Sequence, residues 1–226
     1  MNMTMFEQFA SPEFMLIPTA LLSIFIPMML VHHKPKLLNN RMTTMMLWLL
    51  KTVMMNMTNQ LTTEGQKWCR ILMSLLTMIL LSNLLGMLPF TFTATSQLSM
   101  NMAMAIPLWM ATVITGMIKK PSASLAHMLP EGSPTPLIPF MTMIETISLF
   151  MRPMALGVRL TANITAGHLL MTMVSSATLN FISTNISLCT MTLTLLSLLT
   201  ILELAVACIQ AYVFVLLITL YLQENT

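Results

Sequence analysis

The chain has 226 residues, with 10 Lys or Arg and 7 Asp or Glu, so only 8% are charged. Ordinary soluble domains are about 25% charged. With 56% hydrophobic residues and a mean hydropathy of +0.82, the composition excludes a soluble domain, a disordered chain and a nucleic-acid binder, and places the chain in the membrane class. The net charge of +3 is small, so the information lies in where the charges sit.

Every acidic residue is Glu, and Met occurs 28 times. Such an excess suggests a genome in which an Ile codon reads as Met, as in animal mitochondria; a pliable Met-rich core would explain the same count. Cys69, Cys189 and Cys208 have no paired spacing, so neither a disulfide framework nor a metal site is expected. The opening MNMTMFEQFASPEF lacks a basic n-region and an Arg-rich amphipathic pattern. It does not read as a signal or transit peptide. For an organellar protein that implies synthesis inside the organelle.

A bilayer-spanning helix needs about 20 mostly apolar residues. Residues 14–31 form a first candidate, bent or broken by Pro18 and Pro27. Residues 41–61 are apolar but interrupted by Lys51, Asn56 and Asn59, which suits an amphipathic helix lying on the membrane surface. Residues 71–89 and 100–118 form a hairpin of two further spans, with Pro107 inside the second. Residues 140–182 and 186–222 are nearly continuous apolar sequence joined by a short polar turn, Ser183-Thr184-Asn185. A helix of about 40 residues is about 60 Å long, twice the roughly 30 Å of hydrocarbon it would cross. Each must therefore tilt steeply or break. No internal repeat is visible, so one membrane domain is expected: all-α, with five crossings, one interfacial helix and a long tilted hairpin at the end.

Basic residues set the orientation. Lys34, Lys36, Arg41, Lys51, Lys67 and Arg70 fall in the first connection, and Lys119 and Lys120 follow the third span. Both connections lie on one face, which the positive-inside rule makes the cytoplasm-like or matrix side. The N-terminus, with Glu7 and Glu13, falls on the opposite face and the C-terminus on the positive one.

Arg152 and Arg159 remain, inside the long apolar hairpin together with Glu145, His168 and Glu203. An ionisable group in the bilayer centre costs at least about 2.5–3.5 kcal/mol and marks a functional site by default. The alternatives are a structural intramembrane pair, or snorkelling to the surface for Glu145 and Arg152. Arg159 has Ala155, Leu156, Ala162 and Asn163 as helical neighbours, none a carboxylate. Its counter-charge must come from another helix or another chain. Because Arg keeps its proton at any accessible pH, it is a fixed cation and not a proton carrier.

At about 100° per residue, Glu145, Arg152, Arg159 and Asn163 share one face of a helix, and His168 falls opposite Arg159. From His168 a second polar stripe continues through Thr172, Ser175, Ser176 and Asn180 as possible channel lining. Helix–helix hydrogen bonding would explain that stripe equally well. Glu203 and Gln210 share a face of the last helix and can look back across the hairpin. Two offset polar paths, with a fixed cation between them, suit a device that passes protons without leaking them. His168 and Glu203 could both titrate, and either could relay protons. A secondary transporter, a cation channel and a structural subunit of a respiratory complex remain alternatives on these residues alone.

The runs MALGVRLTANITAGHLL (154–170), PTPLIPFMTMIETISLF (134–150), SNLLGMLPF (82–90) and ELAVACIQAYVFVLL (203–217) resemble subunit a of F-type ATP synthases. The similarity runs through essentially the whole chain and is to the vertebrate mitochondrial form. The resemblance implies a multi-pass stator subunit of the mitochondrial inner membrane, N-terminus toward the intermembrane space. It would sit against the rotating c-ring, beside other membrane-sector and peripheral-stalk subunits, and pass protons through two half-channels. It implies that Arg159 faces the ring carboxylate with Asn163 and Gln210 nearby. His168 and Glu203 would serve the half-channel from the intermembrane space, and Glu145 the one to the matrix. Arg152 matches no functional position. No catalytic residue, cofactor or metal is expected, and the sequence has no phosphate-binding Gly-rich loop.

Overall fold

The computed structural model describes residues 9–10, 13–14, 17–31, 40–59, 65–88, 91–119, 121, 137–183 and 185–225. Glu7, Lys34, Lys36, Glu64, Lys120, Glu131 and Thr184 lie outside them. Among the described residues the fold is all-α apart from a two-residue antiparallel pairing of Glu13–Phe14 with Ile17–Pro18. Three helical segments are long and apolar enough to cross a bilayer: Gly65–Gly86, Leu98–Lys119 and Ile186–Glu224.

Helix α1 runs Thr19–Val31 and is 13 residues long, about 20 Å. It starts later than the apolar run does. A proline pushes the residue before it into extended backbone, and Ile17, which precedes Pro18, is paired as a strand. Pro27 lies within α1 and deprives the Ser23 carbonyl of its usual donor, yet the helix continues through it.

Helix α2 is Arg41–Thr58. It buries Met54 and Met57 while Met45, Met46, Leu47, Trp48 and Leu49 are exposed. Helix α3, Cys69–Gly86, follows a 3₁₀ turn at Gly65–Trp68. It ends where the Met87 and Leu88 N–H groups bond three residues back, to Leu84 and Leu85. The Thr91 hydroxyl donates to the Leu85 and Leu88 carbonyls, at 2.7 Å each. A Cβ on Gly86 would stand 2.9 Å from Thr93 Cγ2, so glycine lets the returning loop close onto the helix end.

Helix α4, Leu98–Lys119, carries Pro107. Helix α5, Ile138–Ile182, is a single element of 45 residues with Pro153 inside it, and α6, Ile186–Asn225, has 40. The turn between them is pinned by the Asn185 N–H on the Phe181 carbonyl at 3.0 Å and the Cys189 N–H on the Asn185 carbonyl at 3.1 Å.

The described residues form two compact units. The first draws on Met1–His32, Thr77–Asn101 and Arg159–Tyr212; the second on His33–Leu76, Met102–Val158 and Val213–Thr226. The first buries Ile79, Leu160, Ile164, Ala207 and Ala211. The second buries Leu72, Leu76, Leu156, Phe214, Val215 and Leu222, and sets Trp109 against Phe150 with ring centroids 5.9 Å apart.

Candidate functional site

In the first unit, α5 turns Leu160 and Ile164 inward and leaves Arg159, Ala162, Asn163 and Ala166 exposed. At about 100° per residue these four fall on one side of the helix. Small side chains flank the guanidinium there, so another surface can approach it closely. Among the described residues Arg159 makes no ion pair. The only ion pair between described side chains is Arg152 with Glu224; His168 lies beside Glu203 and pairs with it ionically only when protonated.

Polar groups of α5 also reach α6. Asn163 Nδ2 donates to Gln210 Oε1 at 2.9 Å, and Gln210 is 6% exposed. His168 Nε2 lies 3.8 Å from Glu203 Oε1. That exceeds a hydrogen bond but is close enough for a small shift or one water to join them. Glu203 Oε1 is buried with no hydrogen-bond partner. Asn83 Nδ2, on α3, donates to the Ala207 carbonyl at 3.3 Å. Asn83, Asn163, His168, Glu203 and Gln210 line one small cleft together with Met87, Ile164, Val206 and Ala207. It has room for about one water.

Asn163, His168, Glu203 and Gln210 thus come together, while Arg159 does not line the cleft. Glu145 belongs to the second unit and is half-buried. In the hydroxyl stripe, Thr172 donates to the Leu169 carbonyl, Ser175 to Thr172 and Ser176 to Met173, each at 2.8 to 2.9 Å. Each of these hydroxyls thus donates to α5's own backbone and keeps its acceptor sites. Asn180 is exposed, and its carbonyl accepts the Ser183 hydroxyl at 3.0 Å.

Asn83 in the cleft and Gly167 beside Glu203 carry no role in the sequence reading. Asn83 was visible there as an amide inside an apolar run, but nothing in the run says which helix it faces. Gly167 packs directly on Glu203: a Cβ there would lie 2.7 Å from Oε1 and 3.1 Å from Cδ. Gly167→Ala must therefore displace the carboxylate from its place beside His168. If this pair relays protons, as the family resemblance implies, proton flux is expected to fall about tenfold, the effect of about 1.4 kcal/mol. A flux equal to the parent's would show that Glu203 need not stay where it is.

In the second unit Arg152 donates to Glu224 Oε2 at 2.6 Å and lies over the Tyr221 ring, 5.3 Å from its centroid. Both charged side chains are substantially exposed, at 32% and 57%. Such pairs contribute about 0–1 kcal/mol. Glu224→Gln is expected to leave proton flux unchanged and to lower thermal stability only slightly; a large loss of flux would give Arg152 a functional role.

These features define an integral membrane protein of the all-α class, with a His–Glu pair in its helices and an arginine that makes no ion pair among the described residues. Residues 13–223 match the family described as ATP synthase A chain. The chain is 78% identical over 226 residues to "ATP synthase F(0) complex subunit a" of Lycodon semicarinatus, covering all of both chains. It is 57% identical over 226 residues to the protein of that name from Struthio camelus, and 52% to that from Felis catus, again with complete coverage of both. The chain belongs to the ATP synthase A chain family, as a subunit a of the F-type enzyme.

Proposed function

We propose that this chain is the proton-translocating stator subunit of a mitochondrial ATP synthase, with Arg159 as the fixed cation between two half-channels. Its partners are the c-ring, the other membrane-sector and peripheral-stalk subunits, and the lipid bilayer. The observation that carries this reading is the exposed Arg159, which has no ion pair among the described residues. A cation held in apolar surroundings needs a counter-charge, and a carboxylate on a neighbouring rotor supplies it.

A proton enters from the intermembrane space and passes between His168 and Glu203, whose reactive atoms lie 3.8 Å apart. It then neutralises a ring carboxylate. Neutral, that carboxyl turns into lipid without the desolvation penalty an ionised one would incur. After nearly a full turn it meets the second path, near Glu145, and releases its proton toward the matrix. Arg159 favours the ionised form of the carboxylate facing it, because an opposite charge within about 4–6 Å does so. It also bars direct passage between the paths, since it cannot relay a proton. Asn163 and Gln210, bonded to each other at 2.9 Å, fix the polar surface next to Arg159. The driving energy is about 2.3 kcal/mol per charge per 100 mV, plus the pH term.

In this reading α1 and α3–α6 cross the inner membrane, and α2 lies along its surface with its exposed apolar residues in lipid. The N-terminus faces the intermembrane space and the C-terminus the matrix. The test is Arg159→Ala in the assembled enzyme. Coupled proton transport is expected to be lost, and ATP synthesis at the parental rate would overturn the assignment.

A further inference from the structure

A buried lone pair that meets no hydrogen-bond donor can be satisfied by a cation instead. Among the described residues the buried side-chain atoms lacking any partner include Asn83 Oδ1 and Glu203 Oε1. Both residues line the cleft, and His168 lines it with them. All three belong to the first unit.

The 3.8 Å between His168 Nε2 and Glu203 Oε1 is long for a hydrogen bond, yet close to the spacing of two ligands on one metal ion. Zinc binds imidazole nitrogen at about 2.0–2.1 Å and carboxylate oxygen at about 2.0–2.2 Å, with tetrahedral angles. Those values put the two donor atoms about 3.4 Å apart, so a movement of about 0.4 Å brings the pair to zinc-binding geometry. The cleft has room for about one water, and a zinc ion stripped of its hydration shell is smaller than that.

A third donor is at hand. Asn83 is 3% exposed, and its Nδ2 is engaged by the Ala207 carbonyl at 3.3 Å, which leaves Oδ1 as the free end of the amide. A water completes a set of four. One imidazole, one carboxylate and one amide suit zinc. No cysteine lines the cleft, so the softer metals that thiolates select are disfavoured. Mg²⁺ and Ca²⁺ need six or more ligands, mostly oxygen, and the cleft cannot supply them. Arg159 does not line the cleft, so no fixed cation occupies the place of the ion.

We propose that His168 Nε2, Glu203 Oε1 and Asn83 Oδ1 form a zinc-binding site, and that zinc held there inhibits proton flux. With only two strong ligands the ion is exchangeable and its role inhibitory; a structural zinc takes four protein ligands. Bound zinc occupies the lone pairs of the imidazole and the carboxylate that an incoming proton would use, and leaves the ring proton of His168 on Nδ1. The inhibition rests on His168 and Glu203 relaying protons. The binding does not.

The experiment uses the assembled enzyme and has two readouts. Retention of radiolabelled Zn²⁺ by the purified enzyme reports binding. Proton flux in vesicles at rising Zn²⁺, expressed relative to each variant's own zinc-free rate, reports inhibition. His168→Gln and Glu203→Gln are expected to raise the half-inhibiting zinc concentration about tenfold or more, since loss of even an outer-shell partner costs about 10–100-fold in affinity. Val206 lines the cleft one turn from Glu203 on α6, so Val206→His adds an imidazole and should lower that concentration about tenfold. Mg²⁺ at the same concentrations should not inhibit. Parental zinc retention and sensitivity in His168→Gln, with no gain in Val206→His, would overturn the proposal. If Val206→His does not assemble, His168→Gln decides, by retention where its flux is too low to follow. Zinc retained by the parent and lost in His168→Gln, with flux indifferent to it, would establish the site and remove the relay from the mechanism.

Discussion

Arg159→Ala is expected to abolish ATP synthesis coupled to proton flow, with the complex still assembled. Removing one partner of a charge pair shielded from water costs about 3–5 kcal/mol, because the other charge is left uncompensated. That corresponds to a slowing of about a hundredfold to a few thousandfold. The ring carboxylate would no longer be held ionised at the stator, so its exchange with both paths would stall. The same variant should open a passive proton leak, since in the proposed mechanism the cation is the barrier between the paths. Arg159→Lys keeps the charge but loses the planar, five-donor fork. It should suppress the leak better than it restores synthesis. The two effects are measured separately, as synthesis rate and as passive proton uptake into vesicles after the nucleotide-binding sector is stripped off. Arg159 is exposed between Ala162, Asn163 and Ala166 rather than packed, so its replacement should cost the fold of this chain little.

Glu203→Gln is the second large effect. The substitution preserves size and removes the group that can take up and give back a proton. A positioned acid–base group contributes about 10²–10⁴-fold to the step it serves, so proton uptake is expected to slow by about a hundredfold. The part of the pH–rate profile that Glu203 supplies should disappear. The geometry gives two reasons why water cannot simply take its place. Glu203 is 11% exposed at the side chain, and Gly167 packs directly against its carboxylate. His168→Gln leaves the carboxylate in place and should slow the same step less. An unchanged pH profile in Glu203→Gln would remove the relay from the mechanism while leaving Arg159's role intact.

The long hairpin was legible because the two apolar runs are each about twice the length a bilayer needs, with only a polar turn between them. The helices Ile138–Ile182 and Ile186–Asn225 follow those runs closely. Arg159 was legible through what its own helix lacks, a carboxylate within reach. The facing of Gln210 toward α5 followed from its shared face with Glu203. What the sequence could not provide was contact between helices at atomic distance. Helical periodicity orders residues around one axis and is silent about the neighbour. Asn83 reaching the Ala207 carbonyl, 124 residues away, and Gly167 making room for Glu203 have no signature in spacing.

For Thr172, Ser175 and Ser176 periodicity gives the shared face but not the hydrogen bonds: each hydroxyl donates to the backbone one turn back, as hydroxyls on helices readily do, and keeps its acceptor sites. The late start of α1 has a similar local cause. Residues 14–31 read as one apolar run, and the backbone restriction imposed by Pro18 on Ile17 divides it.

In the proposed mechanism Arg159 takes its counter-charge from a rotor and not from its own chain. The most direct measurement is the position of the Arg159 guanidinium in a structure of the intact membrane sector. A carboxylate of the ring is expected within about 4–6 Å, with no Glu of this chain closer. An Arg159 that faces lipid, or is paired with a carboxylate of its own chain, would contradict it.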